Sequence, residues 1–253
     1  ADIFFDVLPV NEARDILANL LENVLLDFIV QPSSGRRKKL LICDMDSTII
    51  EQECINEIAD LLNIKPKISE ITERAMNGEI DFKDALRERV ALLKGVDEKD
   101  LHGLYQDKIT FTEGAKTLVQ TMKANGALCV LVSGGFTFFT SRVRQDIGFD
   151  IEEANILQIE DGKLTGQVKE PILDSSAKLN ALRFHCDDIG INSFMSVAVG
   201  DGANDLPMLL ESGLGIAFCA KPNVKKQASH KIDVADLRHV LYAQGYRVEE
   251  MIS

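Results

Sequence analysis

The spacing of hydrophobic residues divides the chain into a helical start, one short strand, a long helical stretch and a final part where strands and helices alternate. Helical spacing runs from residue 11 to 30, and a Gln-Pro-Ser-Ser-Gly linker follows at 31–35. The unbroken run Leu-Leu-Ile-Cys at 40–43 is typical of a buried strand. Helical spacing then continues to about residue 107 with no strand signal, which predicts four helices.

From residue 112 onward the two patterns alternate. Strands are predicted at 127–132, 157–160, 164–168, 194–199 and 214–218, and helices at 114–125, 137–147, 176–185, 205–211 and 236–243. An Asp-Gly-Lys turn at 161–163 predicts a hairpin. Repeated strand-then-helix units predict an α/β fold with a Rossmann-like, doubly wound parallel sheet as its core.

A chain of 253 residues can form one large domain or a core with a smaller inserted domain. The four consecutive helices favour the second arrangement. We expect a helical appendage and linker at 1–39, an α/β core at 40–50 and 111–253, and a helical cap at 51–110. The appendage is too short for its own core, so its apolar stripe predicts packing on the core or on a second subunit, as in a homodimer.

Charge and composition narrow the class of protein. With 40 acidic and 28 basic residues the net charge is −12, which excludes nucleic acid as an expected partner. The basic run at 36–39 is interpreted as a solvated linker. No apolar stretch is long enough to cross a bilayer, and the first residues lack the basic start of a secretory signal. Because the five cysteines are scattered without a zinc-binding spacing, we expect reduced core cysteines and a cytoplasmic protein.

Carboxylates follow two of the predicted strands. Asp44 and Asp46 come directly after the first, and Asp201 and Asp205 follow the strand at 194–199. A lone aspartate at a strand end is more often a turn or a helix cap, but the second acidic segment weakens that interpretation. The carboxyl ends of parallel strands open on one crevice, and carboxylate oxygens are the ligands that Mg²⁺ prefers. The sequence therefore predicts a magnesium site there.

The same strand ends carry groups suited to phosphoryl transfer. A carboxylate such as Asp44 can attack a phosphoryl group, and the transition state then needs hydrogen-bond donors and a positive charge. The Ser133 hydroxyl and Gly134 N–H can hold phosphate oxygens, Lys178 can supply the charge, and Asp46 can exchange the proton. Each feature alone is commonly a turn, a surface lysine or a cap, so the prediction depends on their shared placement.

Together these segments resemble the haloacid dehalogenase superfamily of phosphohydrolases from about residue 40 to the C-terminus. Asp-x-Asp-Ser-Thr at 44–48, Ser-Gly-Gly at 133–135, Lys178 and Gly-Asp-Gly-x-Asn-Asp at 200–205 match its four motifs in order. The helical stretch is similar to that of the phosphoserine phosphatase family within it. The similar features of that stretch are Glu53, Ala-Met-Asn-Gly at 75–78, Phe82 and Arg-Glu-Arg at 87–89. Outside it, Ser-Gly-Gly-Phe at 133–136 and the run at 217–222 also resemble that family.

The resemblance implies a role for each of these residues. Asp44 is the nucleophile and Asp46 the acid and base, with Ser133 and Lys178 also catalytic. Asp44, the backbone carbonyl of Asp46, and Asp201 hold Mg²⁺, and Asp205 supports the metal shell. The expected substrate-binding residues are Glu53 for the ammonium, Arg89 for the carboxylate, Met76 and Phe82 as a cover, and Ser133, Gly134, Lys178 and Asn204 for the phosphate.

The implied function is Mg²⁺-dependent hydrolysis of phosphoserine, a small molecule, to L-serine and phosphate, the last step of serine biosynthesis. Two alternatives stay open. The first is a phosphotransferase that passes the phosphoryl group to an alcohol such as homoserine. The second is a catalytically inactive regulatory module on the same fold, against which the intact acidic set argues. Without the resemblance, Glu53 and Arg89 are equally well explained as charges on a helix surface.

Overall fold

The structure is a computed structural model that describes residues 1–76 and 79–252, apart from the side chains of Met76 and Ser175. A seven-stranded sheet forms its centre, in the order β4-β3-β2-β1-β5-β6-β7. The strands are β1 Leu40–Cys43, β2 Leu128–Phe136, β3 Ile151–Glu160, β4 Lys163–Lys169, β5 Ser196–Gly200, β6 Leu214–Phe218 and β7 His230–Ile232. Neighbouring strands are parallel except in the β3–β4 hairpin. The predicted α/β fold is confirmed.

Most of the remaining regular structure is helical. They are α1 Val10–Leu20, α2 Cys54–Leu61, α3 Lys65–Met76, α4 Phe82–Ala91, α5 Glu98–Lys108, α6 Ala115–Ala124, α7 Thr137–Ile147, α8 Ser175–Asp188, α9 Leu206–Glu211, α10 Pro222–Gln227 and α11 His239–Ala243. Short helical turns cover Met45–Ile49, Ser193–Met195 and Val248–Glu250. The four helices α2 to α5 lie between β1 and β2, where helical spacing predicts them. Within the described ranges, no helix is both long and apolar enough to span a membrane.

Strand β1 is buried on both faces. Leu41 and Cys43 belong to a core cluster that includes residues of α6 and α7, whereas Leu40 and Ile42 belong to a second cluster with residues of α8 and α9. All four side chains are fully buried. A strand covered by helices on each face is expected to be uniformly apolar, which explains the unbroken run at 40–43.

The order of the strands decides where a ligand can bind. From the central β1 the chain winds outward through β2, β3 and β4, then returns and winds the other way through β5, β6 and β7. Cys43, the last residue of β1, is paired with Val199 of β5. The carboxyl ends of β1 and β5 therefore meet at the reversal point, where open α/β sheets place their ligand crevice.

The N-terminal helix is shorter than its hydrophobic spacing predicts. It ends at Leu20 rather than near residue 30, because the following segment binds to the core instead of continuing as a helix. The Asp27 carboxylate accepts hydrogen bonds of 2.9, 2.9 and 3.0 Å from the backbone N–H groups of Asp233, Val234 and Ala235. Val30 is buried, and its carbonyl accepts a hydrogen bond from Arg14.

The apolar stripe of the N-terminal segment does not pack on the core. Ile16, Leu20 and Val24 are 41, 71 and 52% exposed. The appendage nevertheless packs on the core through other residues, since Ala13 and Val30 are buried, so only the stripe is left uncovered. Cover by a second subunit stays a prediction.

Sequence patterns also miss the start of β3 and all of β7. Strand β3 begins at Ile151, ahead of the predicted 157, because the charged residues Glu152 and Glu153 hide its pattern. Glu152 accepts a 2.7 Å hydrogen bond from the Ser141 hydroxyl on α7, and Glu153 pairs with His185 on α8 at 2.8 Å. Strand β7 is only three residues long, too short for a periodic signal.

Candidate active site

Asp44 lies where β1 meets β5. Its N–H donates to the carbonyl of Val199 at 3.0 Å, which continues the pairing of the two strands by one residue. Its carboxylate oxygen Oδ1 accepts a 2.7 Å hydrogen bond from the N–H of Met45 and lies 2.8 Å from Lys178 Nζ. The side chain is therefore held by backbone and by charge at the ligand crevice of the sheet.

Lys178 joins two carboxylates inside the protein. It begins the second turn of helix α8 and is buried, with Nζ 2.8 Å from Asp44 and 2.5 Å from Oδ1 of Asp205. Burial lowers the pKa of Lys178, but the two carboxylates outweigh it, so the pKa is raised overall and the ammonium stays charged. Through these two contacts Lys178 joins the Asp-x-Asp motif at 44–48 to the Gly-Asp-Gly-x-Asn-Asp motif at 200–205.

Two glycines allow the segment after β5 to fold tightly. A Cβ added to Gly200 would overlap the side chain of Asp205, and one added to Gly202 would overlap that of Asn204. The N–H of Gly202 donates to Oδ2 of Asp205 at 2.8 Å, so both oxygens of that carboxylate have partners. The Gly-Asp-Gly pattern is explained by this close approach.

Three buried carboxylates form a group suited to a hard cation. Oxygen atoms of Asp44, Asp201 and Asp205 all lie within 4.8 Å of one another. Burial and the charge of Asp205 raise the pKa of Asp44 well above its usual range, against the opposing effect of Lys178, and they raise that of Asp201 to about 6. One buried ammonium does not offset three carboxylates, and oxygen ligands are those that Mg²⁺ prefers. These residues therefore fit a divalent cation.

Asp46 projects from a tight turn next to this group. Ser47 adopts a positive φ of 54°, which bends the chain immediately after it. Burial first, and then the charge of Glu53, raise the pKa of Asp46 to about 7, while the neighbouring Cys54 opposes this shift. Oδ1 of Asp46 is buried without a hydrogen-bond partner, and a carboxyl group with this pKa can give or take a proton near neutral pH.

The Ser-Gly-Gly segment, predicted as a turn after the strand, is instead the irregular end of strand β2, and it faces Asp46. The N–H of Gly135 donates to Ser133 Oγ at 2.9 Å. The Cβ position of Gly135 would lie 3.1 Å from that Oγ and 3.3 Å from Oδ2 of Asp46, so the two oxygens lie near one another. Because Oγ already accepts from Gly135, its own hydrogen is left to donate to a ligand.

Three predicted specificity residues surround the same crevice. Phe82, the first residue of α4, has its ring 3.7 Å from the position that a Cβ of Gly134 would take. Glu53 accepts a 3.0 Å hydrogen bond from the Ser47 hydroxyl. Arg89 is half-buried on α4, where burial lowers its pKa and the charge of Glu53 opposes that shift. Its Nε donates to a backbone carbonyl of the same helix at 3.2 Å, but among the described residues Arg89 makes no ion pair, so its two terminal nitrogens are available to a ligand.

For the remaining predicted residues, Asn204 and Met76, the structure describes fewer contacts or none. Asn204 is half-buried in the 200–205 segment, next to Gly202. The side chain of Met76 and residues 77–78 lie outside the described part of the chain. Sequence reasoning missed Cys54, which opposes the rise in the pKa of Asp46, because its place in an apolar stripe indicates only packing.

Comparison with known proteins decides the family. Residues 41–210 match the haloacid dehalogenase-like hydrolases. The chain belongs to this family. The matched range begins in β1 and ends in α9, so it contains the three clustered carboxylates and Lys178, and the predicted superfamily is confirmed.

Two similar proteins in this hydrolase family are both named phosphoserine phosphatase. The phosphoserine phosphatase of Albidiferax ferrireducens is 48% identical over 208 residues, 80% of this chain and 88% of that protein. The phosphoserine phosphatase of Saccharomyces cerevisiae is 39% identical over 258 residues, 99% of this chain and 83% of that protein.

Solved structures agree with this placement. A phospho-aspartyl intermediate analogue of phosphoserine phosphatase matches with a TM-score of 0.74 and 40% identity over 81% of this chain and 98% of that chain. A HAD family hydrolase from Salmonella enterica serovar Typhi matches with a TM-score of 0.89 and 32% identity over 96% of this chain and 82% of that chain. The roles of individual residues in this chain stay predictions.

Proposed function

We propose that this hydrolase is a Mg²⁺-dependent phosphatase that converts O-phospho-L-serine to L-serine and phosphate through an aspartyl-phosphate on Asp44. The observation that carries the proposal is the buried Lys178 ammonium, which contacts Asp44 at 2.8 Å and Asp205 at 2.5 Å beside the Asp201 carboxylate. A nucleophilic carboxylate, a fixed positive charge and a divalent-cation site are the parts that phosphoryl transfer requires.

In the first step, a carboxylate oxygen of Asp44 attacks the phosphorus atom and the bond to the serine oxygen breaks. Asp46 gives its proton to that oxygen, so L-serine leaves as an alcohol. The Ser133 hydroxyl, the Gly134 N–H and the Lys178 ammonium stabilise the charge on the phosphoryl oxygens. Asp44, Asp201 and the backbone carbonyl of Asp46 would hold Mg²⁺, which supplies further positive charge to those oxygens.

In the second step, water attacks the phosphorus atom of the aspartyl-phosphate. Asp46, now a carboxylate, takes a proton from the water, and the bond to Asp44 breaks to release phosphate. Asp46 thus ends the cycle protonated and Asp44 ends it as a carboxylate. The pKa of about 7 that burial gives to Asp46 is compatible with both proton transfers near neutral pH.

We propose that α2 to α5 act as a cap over the core and select the substrate. Phe82 already lies over the Ser-Gly-Gly segment, and the two ends of the inserted segment are held together by the pairing of Ile50 with Phe111. Glu53 and Arg89 come from two different parts of this segment, so their opposite charges can bind the ammonium and carboxylate of one small zwitterion. A closed cap also keeps water from the site until serine has left.

Removal of the metal is expected to stop turnover. After dialysis against EDTA the rate of phosphate release should fall to background, and added Mg²⁺ should restore it. Ca²⁺ should inhibit, because it accepts more oxygen ligands and can take both oxygens of the Asp44 carboxylate. Phosphate release measured with each ion checks this expectation, and full activity of metal-free enzyme would contradict the proposed site.

A panel of phosphorylated amino acids and sugar phosphates tests the proposed substrate. We expect the largest kcat/KM for phosphoserine, with serine and phosphate formed in equal amounts. The panel is repeated with acceptor alcohols, including homoserine, because a phosphotransferase would yield a phosphorylated alcohol in place of phosphate. An inactive protein in every assay would favour the regulatory module.

Deletion of residues 1–26 is expected to leave kcat within about twofold, since every proposed site residue lies beyond Leu40. Asp27→Ala should instead destabilise the fold by roughly 1–3 kcal/mol, because three backbone N–H groups lose their acceptor. Urea unfolding and phosphate release report the two effects.

If the exposed stripe forms a homodimer, light scattering will show that the shortened chain is a monomer. A folded deletion variant that loses its turnover rate would place the segment in the active site.

A further inference from the structure

Asn155 is a buried amide on β3 to which the proposed mechanism gives no role. Its side chain is 1% exposed and makes three hydrogen bonds, all to backbone groups of two other segments. Nδ2 donates to the carbonyl oxygen of Gly134 at 2.9 Å and lies 3.4 Å from that of Leu173, while Oδ1 accepts from the N–H of Leu173 at 2.8 Å. The segment of Gly134 contains the proposed catalytic residue Ser133, and the segment of Leu173 leads into the helix that carries Lys178.

The contact with Gly134 fixes the end of β2, which carries Ser133. The Gly134 carbonyl and the Gly135 N–H belong to one peptide group, which is planar, so holding the carbonyl also orients the N–H. That N–H donates to Ser133 Oγ at 2.9 Å. Asn155 therefore acts through a single peptide plane on the position of the serine oxygen and on the direction in which its hydrogen points.

The contacts with Leu173 fix the start of the helix that carries Lys178. Leu173 precedes Asp174, whose carboxylate caps α8 by accepting a 2.9 Å hydrogen bond from the N–H of Ser176. Lys178 follows in the second turn of this helix, with its ammonium between Asp44 and Asp205. One amide thus fixes the distance between the start of α8, which carries Lys178, and the end of β2, which carries Ser133.

We propose that Asn155 is a positioning residue that aligns Ser133 and Lys178 on the same phosphoryl group. The inference rests on the proposed function, since it concerns the geometry of that site. An amide suits this place because it offers a donor to one carbonyl and an acceptor to one N–H. Leucine offers neither, and an aspartate carboxylate keeps the acceptor for Leu173 but presents an oxygen to the Gly134 carbonyl.

The chain contains a closely matched control residue. Gln244 is also an amide that is 1% exposed, and it also accepts from one backbone N–H and donates to one backbone carbonyl, those of Lys38 at 3.0 Å and Val240 at 3.1 Å. Lys38 lies two residues before the first residue of β1, at the end of the strand opposite to Asp44. Loss of the Gln244 contacts should destabilise the protein without disturbing the site.

The experiment compares Asn155→Leu and Asn155→Asp with Gln244→Leu, at a temperature where circular dichroism shows each variant folded. Rates are measured with phosphoserine and with an aryl phosphate, and inorganic phosphate serves as a competitive inhibitor. Asn155→Leu should lower kcat about 100-fold for both substrates, because small misplacements of catalytic groups have effects of this size. Asn155→Asp should lower it about tenfold, and both should weaken phosphate inhibition on the order of fivefold.

Gln244→Leu should lower the melting temperature but keep kcat and phosphate inhibition within about twofold. The inference is overturned if a folded Asn155 variant keeps kcat within threefold of Gln244→Leu, or if only phosphoserine hydrolysis falls. If Asn155→Leu does not fold, Asn155→Asp alone decides by the same criterion. The proposed function is tested separately, by the rate at which the unmodified protein hydrolyses phosphoserine. If that rate is zero, the ratio of kcat values for the Asn155 variants and the unmodified protein can still be measured with the aryl phosphate.

Discussion

Asp44→Asn is expected to lower kcat by roughly 10⁴-fold or more, the scale of loss when a hydrolase loses its covalent nucleophile. An amide cannot form an acyl-phosphate, and it also removes one of the three carboxylates that face the proposed cation site. The fold should survive, because the neutral side chain can still accept the 2.7 Å hydrogen bond from Met45. Steady-state phosphate release with phosphoserine, together with thermal unfolding, measures both outcomes.

Asp236→Asn is a suitable control for this substitution. Asp236 is a partly buried aspartate whose carboxylate binds Arg238 and which is not among the proposed site residues. The control should keep full kcat, so that a loss in Asp44→Asn reflects the reaction and not the general cost of replacing an aspartate. An Asp44→Asn protein with the parent rate would end the covalent mechanism.

Glu53→Gln and Arg89→Ala are expected to damage phosphoserine hydrolysis far more than hydrolysis of an aryl phosphate without ammonium and carboxylate groups. Each lost charged contact in a closed site should weaken transition-state binding by roughly 2–5 kcal/mol, or about 30-fold to several thousand-fold in kcat/KM. The phosphoryl site at Asp44, Ser133 and Lys178 is untouched by either change. The measurement is the ratio of kcat/KM values for the two substrates in each variant.

Arg87→Ala provides a control on the same helix. Arg87 also carries a positive charge on α4, but it is exposed and pairs with Glu170 at 2.7 Å and with Asp84 at 2.8 Å. Its removal should change the two kcat/KM values little and equally. Equal losses for both substrates in the Arg89 variant would show that Arg89 is structural, and the assignment of phosphoserine would lose its main physical support.

The part of the site that the sequence could predict consists of carboxylates that come directly after an apolar strand. Asp44 and Asp201 follow apolar runs that read as buried strands, and parallel strands bring such residues to one crevice. The position of Lys178 relative to Asp44 and Asp205 does not follow from spacing, because it depends on how α8 packs on the sheet. The family resemblance, and not the pattern alone, points to that lysine.

Other features depend on contacts between distant segments, which sequence patterns do not contain. Helical spacing continues past Leu20, yet the helix stops there because Asp27 binds the backbone at 233–235. Asn155 joins β3 to two segments about 20 residues away on either side, at Gly134 and Leu173. A buried polar residue gives no periodic signal, so only the folded structure shows what it holds in place.

The central claim is that phosphoserine is hydrolysed through a phosphorylated Asp44, and rapid-quench labelling tests it most directly. Enzyme is mixed with phosphoserine radiolabelled in its phosphate, quenched in acid, and digested to locate the bound label. The account predicts an acid-stable, hydroxylamine-sensitive label on the peptide that contains Asp44. This label should form before free phosphate appears and should accumulate when Asp46 is replaced by Asn. Phosphate release with no label on the protein at any time, or with the label on another residue, would contradict the account.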